Sequence, residues 1–299
     1  MVSGDSHPLT SALPIPRPAG GVWGSSVPPG VPPLRRGPSY WWRPTGGTGA
    51  VRVSWATDQG SAERGNEDFV AAAAGAVVVL DGCGLPLGTD LGCAHGTAWY
   101  ARSLGTRLLA RMLDGIGPPA GPPVGPPEGA HTPGERPLVA RLAGAIADVA
   151  ASHRATCDLR TPATPAATVL ALRVRGDLVD YLVLADSTVL LDGSHGVQEI
   201  TGGHHYAAAD PSAAEAALTG TVPVDDLRRV FLMTDGATRL TDMFGVTDWA
   251  GLAALAVDPG PSGLIEWTRE IERTDPSALK WPRGKVHDDA TVAVCTFPH

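Results

Sequence analysis

The sequence predicts an α+β sandwich, because strand-like segments come in blocks and each block is followed by helical segments. That order differs from the strict alternation of strand and helix that is typical of parallel sheets. A chain of 299 residues, of which 43% are hydrophobic, can bury a substantial core. The formal net charge of −8 argues against a broad nucleic-acid-binding surface, which requires a basic face.

Two segments are predicted to lie outside the packed domain. Residues 1–50 are rich in Pro and Gly and show no helical or strand period. Such a segment buries too little apolar surface to offset its ordering entropy, so we predict a disordered tail. Residues 115–137 have a similar composition and are predicted to be a surface insertion in a domain that spans residues 51–299.

The sequence also bears on location. Its start lacks the basic and apolar regions of a signal peptide. No apolar run approaches the roughly 20 residues that a membrane-spanning helix needs. We therefore expect a soluble, cytoplasmic protein that binds neither membranes nor nucleic acids.

The first strands follow from alternation and from apolar runs. Val51, Val53 and Trp55 alternate with polar residues, which is typical of a half-buried strand. Two apolar runs then predict strands over residues 69–74 and 76–80.

Two helices are predicted on either side of the insertion, over residues 94–113 and 138–154. In the second of them, Leu142, Ile146 and Val149 recur with the spacing of one helical face. That face is expected to pack on a sheet.

Further strands are predicted beyond the second helix. Segments 167–174 and 178–184 flank a short turn and are predicted to form a hairpin. Residues 201–224 are polar and rich in Ala, and we predict a loop with one short helix there. The remaining elements are predicted as strands at 188–191, 197–200, 230–234 and 290–297, and helices at 248–256 and 261–273.

Acidic residues coincide with predicted strand ends at Glu67-Asp68, Asp81, Asp235 and Asp288-Asp289. Each segment alone is also typical of an ordinary turn or a solvated strand end. If the segments meet, their charges repel and raise the pKa of each carboxyl, and divalent cations remove that conflict. Oxygen ligands with few nearby His or Cys favour Mg²⁺ or Mn²⁺ over Zn²⁺.

The four cysteines contain no Cys-x-x-Cys pair. A zinc site built from Cys83, Cys93 and His95 is conceivable, but its spacing matches no established ligand pattern. Reduced, partly buried thiols are the preferred interpretation, as in a cytosolic protein.

The order of the motifs resembles that of the protein phosphatase 2C family, the metal-dependent PPM phosphatases. The matching segments are RGNED at 64–68, DGCG at 81–84, AT at 167–168, ADS at 185–187, TDG at 234–236 and DDAT at 288–291. The resemblance covers roughly residues 51–298. It implies a four-layer α-β-β-α sandwich, in which helices flank two central antiparallel sheets.

The resemblance also implies the roles of individual residues. The implied ligands of two Mg²⁺ or Mn²⁺ ions are Glu67, Asp68, Asp81, Gly82 (through its carbonyl), Asp235 and Asp288. Asp81 would bridge both ions and, together with Asp235, serve the catalytic step. Arg64 would bind the substrate phosphate as a bidentate fork. The alternative for Arg64 is a surface ion pair with Glu63 or Glu67.

Three positions depart from the family pattern. Cys83 stands where many members have His or Met, so the resemblance assigns no general acid. Gly84 is followed by Leu85 instead of a second Gly, and Ala185 stands where Gly is usual.

The implied function is metal-dependent hydrolysis of phosphoserine and phosphothreonine in proteins, a reaction of signal transduction, with a phosphorylated protein as the partner. One alternative is a catalytically weak pseudophosphatase that acts as a phosphoprotein-binding regulator, which the departures favour and the retained carboxylates disfavour. Another is a hydrolase of small phosphate esters. It is suggested by residues 201–224, which by the resemblance would correspond to the flap beside the active site and which carry few basic or aromatic groups. The sequence leaves the oligomeric state open.

Overall fold

The structure, a computed structural model, describes residues 39–42, 51–86, 88–114 and 137–298. The strands in these residues are β1 (Ser39–Trp42), β2 (Val51–Asp58), β3 (Phe69–Ala73), β4 (Ala76–Leu80), β5 (Val169–Arg175), β6 (Leu178–Leu184), β7 (Thr188–Gly193), β8 (Gly196–Thr201), β9 (Leu218–Pro223), β10 (Leu227–Met233) and β11 (Ala290–Thr296). The α-helices are α1 (Thr97–Leu113), α2 (Leu138–His153), α3 (Asp235–Asp242), α4 (Trp249–Val257) and α5 (Pro261–Arg273). Two 3₁₀ helices span Pro211–Ala216 and Val224–Asp226.

The strands form two antiparallel sheets. The six-stranded sheet has the order β1-β2-β11-β10-β7-β8, and the five-stranded sheet has the order β3-β4-β5-β6-β9. Helices α1 and α2 cover the outer face of the five-stranded sheet, while α3, α4 and α5 cover the outer face of the six-stranded sheet. The four-layer α-β-β-α sandwich is therefore confirmed.

Strand β4 shows how the core is divided between layers. Ala76, Val78 and Leu80 face α1 and α2, whereas Val77 and Val79 face the other sheet. Because both faces of the strand are covered, all five side chains are fully buried. This double burial explains why the segment is a continuous apolar run instead of an alternating one.

Most predicted elements are confirmed, and β4, β6 and α5 have the predicted bounds. The prediction of a loop with one short helix over residues 201–224 is wrong at β9, which pairs with β6 at the edge of the five-stranded sheet. The side chains of β9 are exposed or half-buried, so the strand carries no apolar alternation that would reveal it.

Strand β1 lies within the segment predicted to be a disordered tail. It pairs with β2 along its whole length, with Trp42 opposite Val51. The predictions for the rest of residues 1–50 and for residues 115–136 lie outside the described residues. Within the described ranges, no helix has the length and apolar character needed to cross a membrane.

Candidate metal centre

The acidic segments meet at one end of the sandwich. Asp68 precedes β3, and Asp81 follows β4. Because these two strands are antiparallel neighbours, both residues lie at the same end of the strands of the five-stranded sheet. Asp235 follows β10, and Asp288 precedes the antiparallel strand β11, so both lie at the same end of the strands of the six-stranded sheet. Thr234 donates a hydrogen bond from Oγ1 to Asp68 Oδ2 over 2.9 Å, which connects the acidic residues of the two sheets.

The two Asp-Gly motifs are explained by a lack of space at each glycine. A Cβ atom on Gly82 would collide with the carbonyl oxygen of Glu67, and a Cβ atom on Gly236 would collide with that of Asp289. Neither motif forms a hairpin turn: Gly82 makes an isolated bridge with Ala167, and Gly236 lies in the first turn of α3. The glycines therefore let neighbouring backbone approach the carboxylates.

Burial and like charges raise the pKa of the clustered carboxyls. Burial, with a contribution from the charge of Asp235, raises the pKa of Asp68 to about 7. Burial and the charge of Asp288 raise the pKa of Asp235 to about 6. The pKa of Asp81 is raised well above its usual value by burial and by the charges of Asp68, Asp235 and Asp288. Burial also raises the pKa of Glu67.

The donor atoms of this cluster fit a hard divalent cation. In the described part of the chain, Glu67 Oε2 and Asp68 Oδ1 are buried carboxylate oxygens that accept no hydrogen bond. A buried acceptor without a donor lowers stability, and a bound cation would remove that penalty. Mg²⁺ and Mn²⁺ favour sites formed by several carboxylate oxygens, because the cation neutralises their mutual repulsion.

Two cationic side chains flank Asp288. Lys285 Nζ lies 2.6 Å from Asp288 Oδ1, and Arg239 Nη2 donates to Asp288 Oδ2 over 3.1 Å. Although burial opposes it, the hydrogen bond to Asp288 raises the pKa of Lys285. The sequence patterns did not indicate either contact, because Arg239 lies on α3 and Lys285 in the loop before β11.

Asp289 has a different role from Asp288. Its Oδ1 accepts a hydrogen bond from the Gly60 amide and its Oδ2 accepts one from the Glu67 amide, each over 2.7 Å. Asp289 therefore holds the backbone that presents Glu67, a role that the Asp-Asp pair in the sequence does not distinguish from a second ligand.

Asp81, Asp235 and Asp288 line a cleft of about 970 Å³. Arg64 also lines it: Nη2 donates to the Leu85 carbonyl over 2.5 Å, and Nη1 lies 3.7 Å from Glu67 Oε2. The ion pair that was the alternative for Arg64 is thus present, at the rim of the cleft. Asp186 and Tyr206 also line the cleft, and the Tyr206 hydroxyl donates to Asp186 Oδ2 over 3.1 Å.

Cys83 lines the same cleft as a neutral thiol. Burial and the nearby charges of Asp81 and Asp186 raise its pKa far above the usual value for cysteine. Since the thiolate is the nucleophilic form of cysteine, this thiol is unsuited to nucleophilic attack at neutral pH.

Ala185 connects β6 in one sheet to β7 in the other and directly precedes Asp186. Its φ of 70° lies in the left-handed region, which favours glycine. A residue with a Cβ atom is disfavoured there by about 1–2 kcal/mol. The family pattern of Gly at this position therefore has a backbone cause, and this chain retains the conformation without the glycine.

We expect Ala185→Gly to raise the free energy of unfolding by about 0.5–1 kcal/mol. Relief of the left-handed conformation should exceed the extra entropy that glycine gives the unfolded chain. Ala171→Gly, at a buried position in the middle of β5, is the matched control and should lower stability by about 1 kcal/mol or more. Urea denaturation of both variants measures the difference, and a destabilised Ala185→Gly would contradict this explanation.

Comparison with known proteins gives one family match. The sequence model of the family described as protein phosphatase 2C matches residues 64–258. The matched range includes Asp68, Asp81 and Asp235 and ends before Asp288. None of the curated proteins matches the chain.

Solved structures share the fold at low sequence identity. PppA, described as a key regulatory component of T6SS in Pseudomonas aeruginosa, has a TM-score of 0.53 and 18% identity, over 83% of this chain and 98% of that one. The serine/threonine phosphatase Stp1 from Staphylococcus aureus has a TM-score of 0.54 and 11% identity, over 83% and 95% of the two chains. The catalytic domain of the serine threonine protein phosphatase PstP, solved in complex with two manganese ions, has a TM-score of 0.50 and 18% identity, over 83% and 99%.

Proposed function

The chain belongs to the protein phosphatase 2C family, and from that premise we propose that it hydrolyses phosphoserine and phosphothreonine in proteins by a metal-dependent reaction. The observation that carries the proposal is the meeting of Asp68, Asp81, Asp235 and Asp288 at one end of the sandwich. Because these like charges repel one another, a bound divalent cation would stabilise the cluster. We place the reaction in cytoplasmic signal transduction, with a phosphorylated protein as the partner.

The proposed ligands of two Mg²⁺ or Mn²⁺ ions are Glu67, Asp68, Asp81, Asp235, Asp288 and the Gly82 carbonyl. When bound, such ions would supply Lewis-acid activation of water and neutralise charge on the phosphoryl group. The buried oxygens of Glu67 and Asp68 that accept no hydrogen bond support this assignment. The PstP structure, which holds two manganese ions, supports the choice of divalent cations.

The chain's own groups would position the substrate. Asp81 and Asp235 are the proposed catalytic carboxylates, as the family resemblance implies, and both line the cleft. Arg64 would turn from the Leu85 carbonyl to the phosphate, for which its guanidinium offers a bidentate pair of donors. The neutral thiol of Cys83 would line the cleft without attacking phosphorus.

A second candidate is a pseudophosphatase that binds a phosphoprotein without turnover. The observation in its favour is the ion pair between Lys285 and Asp288, in which an ammonium contacts an oxygen that metal ligation would use. The two candidates share the phosphate-binding cleft and differ in whether metal supports turnover.

Hydrolysis of a phosphothreonine peptide, measured with Mn²⁺, with Mg²⁺ and with chelator, tests the proposal. We expect turnover with a divalent cation and none with chelator. A kcat/KM for p-nitrophenyl phosphate far above that for the peptide would favour the small-ester hydrolase. Peptide binding without turnover by folded, metal-loaded protein would favour the pseudophosphatase.

A further inference from the structure

Four metal-ligating side chains outside the cleft converge at one point: Cys93, His95, His153 and Cys157. One potential ligand atom of each lies within 4.8 Å of those of all the others. Cys157 Sγ lies 3.4 Å from Cys93 Sγ and 3.3 Å from His95 Nδ1. Cys93 Sγ lies 3.6 Å from His95 Nδ1 and 4.0 Å from His153 Nδ1.

These separations match the edges of a tetrahedral zinc site. With Zn–S near 2.3 Å and Zn–N near 2.0 Å, neighbouring donors in a tetrahedron lie about 3.3–3.8 Å apart. Three of the four measured separations fall in that range, and the fourth exceeds it slightly. We propose that Cys93, His95, His153 and Cys157 bind one structural Zn²⁺ ion, separate from the carboxylate cluster.

The fold brings two distant halves of the site together. Cys93 and His95 lie in the last part of the loop from β4 to α1, just before α1 begins. His153 is the last residue of α2, and Cys157 follows it by four residues. The amides of Thr156 and Cys157 both donate to the His153 carbonyl over 3.0 Å, so a tight turn presents the two ligands on one side.

The surroundings restrict the two imidazoles. Trp99 on α1 stacks on His95, with ring centroids 4.3 Å apart, and on His153, with centroids 4.9 Å apart. His153 is buried, whereas His95 reaches the surface. Four protein ligands fill a tetrahedral coordination sphere, which is typical of structural zinc and leaves no position for a substrate.

The zinc would fasten the loop that begins at Asp81 to the end of α2. A backbone hydrogen bond from the Asp158 amide to the Gly92 carbonyl, over 2.8 Å, joins the same two segments. Binding energy at such a site is folding energy, because the unfolded chain holds no preformed site. Sulfur and imidazole donors select zinc, while the carboxylate cluster selects Mg²⁺ or Mn²⁺, so both sites can be filled together.

From the sequence, a zinc site on Cys83, Cys93 and His95 was conceivable, but in the structure Cys83 is not part of the cluster that contains Cys93 and His95. Cys83 lines the cleft, and its place is taken by His153 and Cys157. The rival explanation for the pair of sulfurs is a disulfide between Cys93 and Cys157. A disulfide gives no role to the two imidazole nitrogens beside the sulfurs, whereas a metal ion uses all four groups.

Zinc content of tag-free protein, purified without chelator and dialysed against Mg²⁺ buffer, tests the proposal. We expect about one zinc per chain in the wild type and a loss of at least about tenfold in Cys157→Ser and His153→Ala. Cys83→Ser and His204→Ala remove a thiol and an exposed imidazole outside the cluster and should keep the zinc. Zinc content does not depend on hydrolytic activity, so this experiment tests the zinc site independently of the proposed function.

Cobalt substitution adds a spectroscopic readout. Tetrahedral Co²⁺ with two thiolates gives strong visible bands and a thiolate charge-transfer band, which oxygen ligands do not produce. We expect these bands in the wild type and a much weaker thiolate charge-transfer band in Cys157→Ser, or in Cys93→Ser should Cys157→Ser fail to fold. Zinc-free wild type, wild-type zinc content in the ligand variants, or a Cys93–Cys157 disulfide in the purified protein would each overturn the proposal.

Discussion

Replacing Asp235 with Asn is expected to lower kcat/KM for a phosphothreonine peptide by at least ~100-fold, or about 2.7 kcal/mol of transition-state stabilisation. Asp235 begins α3 one residue after β10 ends, so it lies between two regular elements. The amide of Asn keeps the shape of the side chain but removes the anionic oxygen that a hard divalent cation favours. Steady-state kinetics at saturating Mn²⁺ measure the loss.

The same substitution should leave the metal-free fold intact. Burial and the charge of Asp288 raise the pKa of Asp235 to about 6, so at pH 7 its ionised carboxylate opposes folding. We therefore expect unchanged or higher stability of Asp235→Asn in chelator, and a smaller stabilisation by Mn²⁺ than in the wild type. Asp225→Asn, at an exposed acid in the second 3₁₀ helix, is the control that should keep full activity. Wild-type turnover by Asp235→Asn would exclude this residue from the catalytic site.

Most core strands and helices were predictable from the sequence because their burial produces a pattern of apolar residues, whereas the order of the layers was implied by the family resemblance. Strand β4 is covered on both faces and is apolar throughout, and α2 shows one apolar face. Strand β9 is an edge strand with exposed or half-buried side chains, so its pairing with β6 depends on backbone hydrogen bonds that no side-chain pattern records. Helix α3 was missed for a different reason: Asp235-Gly236 has the composition of a turn but begins a helix.

The acidic residues were predicted because each stands at a strand end, where antiparallel pairing determines its neighbours. Their partners were not predictable in the same way. Arg239 and Lys285 reach Asp288 from other elements, and the contacts depend on how α3 and the loop before β11 pack. The two halves of the Cys and His cluster are likewise far apart in sequence, with α1, most of α2 and the segment between the two helices separating them. No short sequence motif contains all four residues, so the cluster could not be predicted from local spacing.

Replacing Glu272 with Ala is expected to lower the free energy of unfolding by about 3–5 kcal/mol. The Glu272 side chain is fully buried on α5. Its Oε1 accepts a hydrogen bond from Arg239 Nη1 over 2.5 Å, and its Oε2 accepts one from Arg269 Nη1 over 2.9 Å. His287 Nδ1 lies 2.6 Å from the same Oε2. Removing the carboxylate leaves two buried guanidiniums without their shared anion, and urea denaturation in chelator measures the cost.

Glu266→Ala is the matched control on the same helix. Glu266 pairs with Arg273 over 2.9 Å, but both side chains are about half exposed, so the change in stability should stay within about 0.5 kcal/mol. We call Glu272 with Arg239, Arg269 and His287 the Glu272 network. An equal loss of unfolding free energy in Glu272→Ala and Glu266→Ala would show that burial does not strengthen this network.

The Glu272 network also reaches the carboxylate cluster. Arg239 donates to Asp288 Oδ2, and Arg269 donates to the Asp288 carbonyl over 2.6 Å, so Glu272 holds two of the cations that contact Asp288. Glu272→Gln keeps an acceptor oxygen but loses the charge, and it should fall between wild type and Glu272→Ala in stability. If the network positions Asp288, the Mn²⁺ concentration for half-maximal activity should rise in Glu272→Gln and stay unchanged in Glu266→Ala. A loss of stability without that shift would limit the network to holding α3, α5 and β11 together.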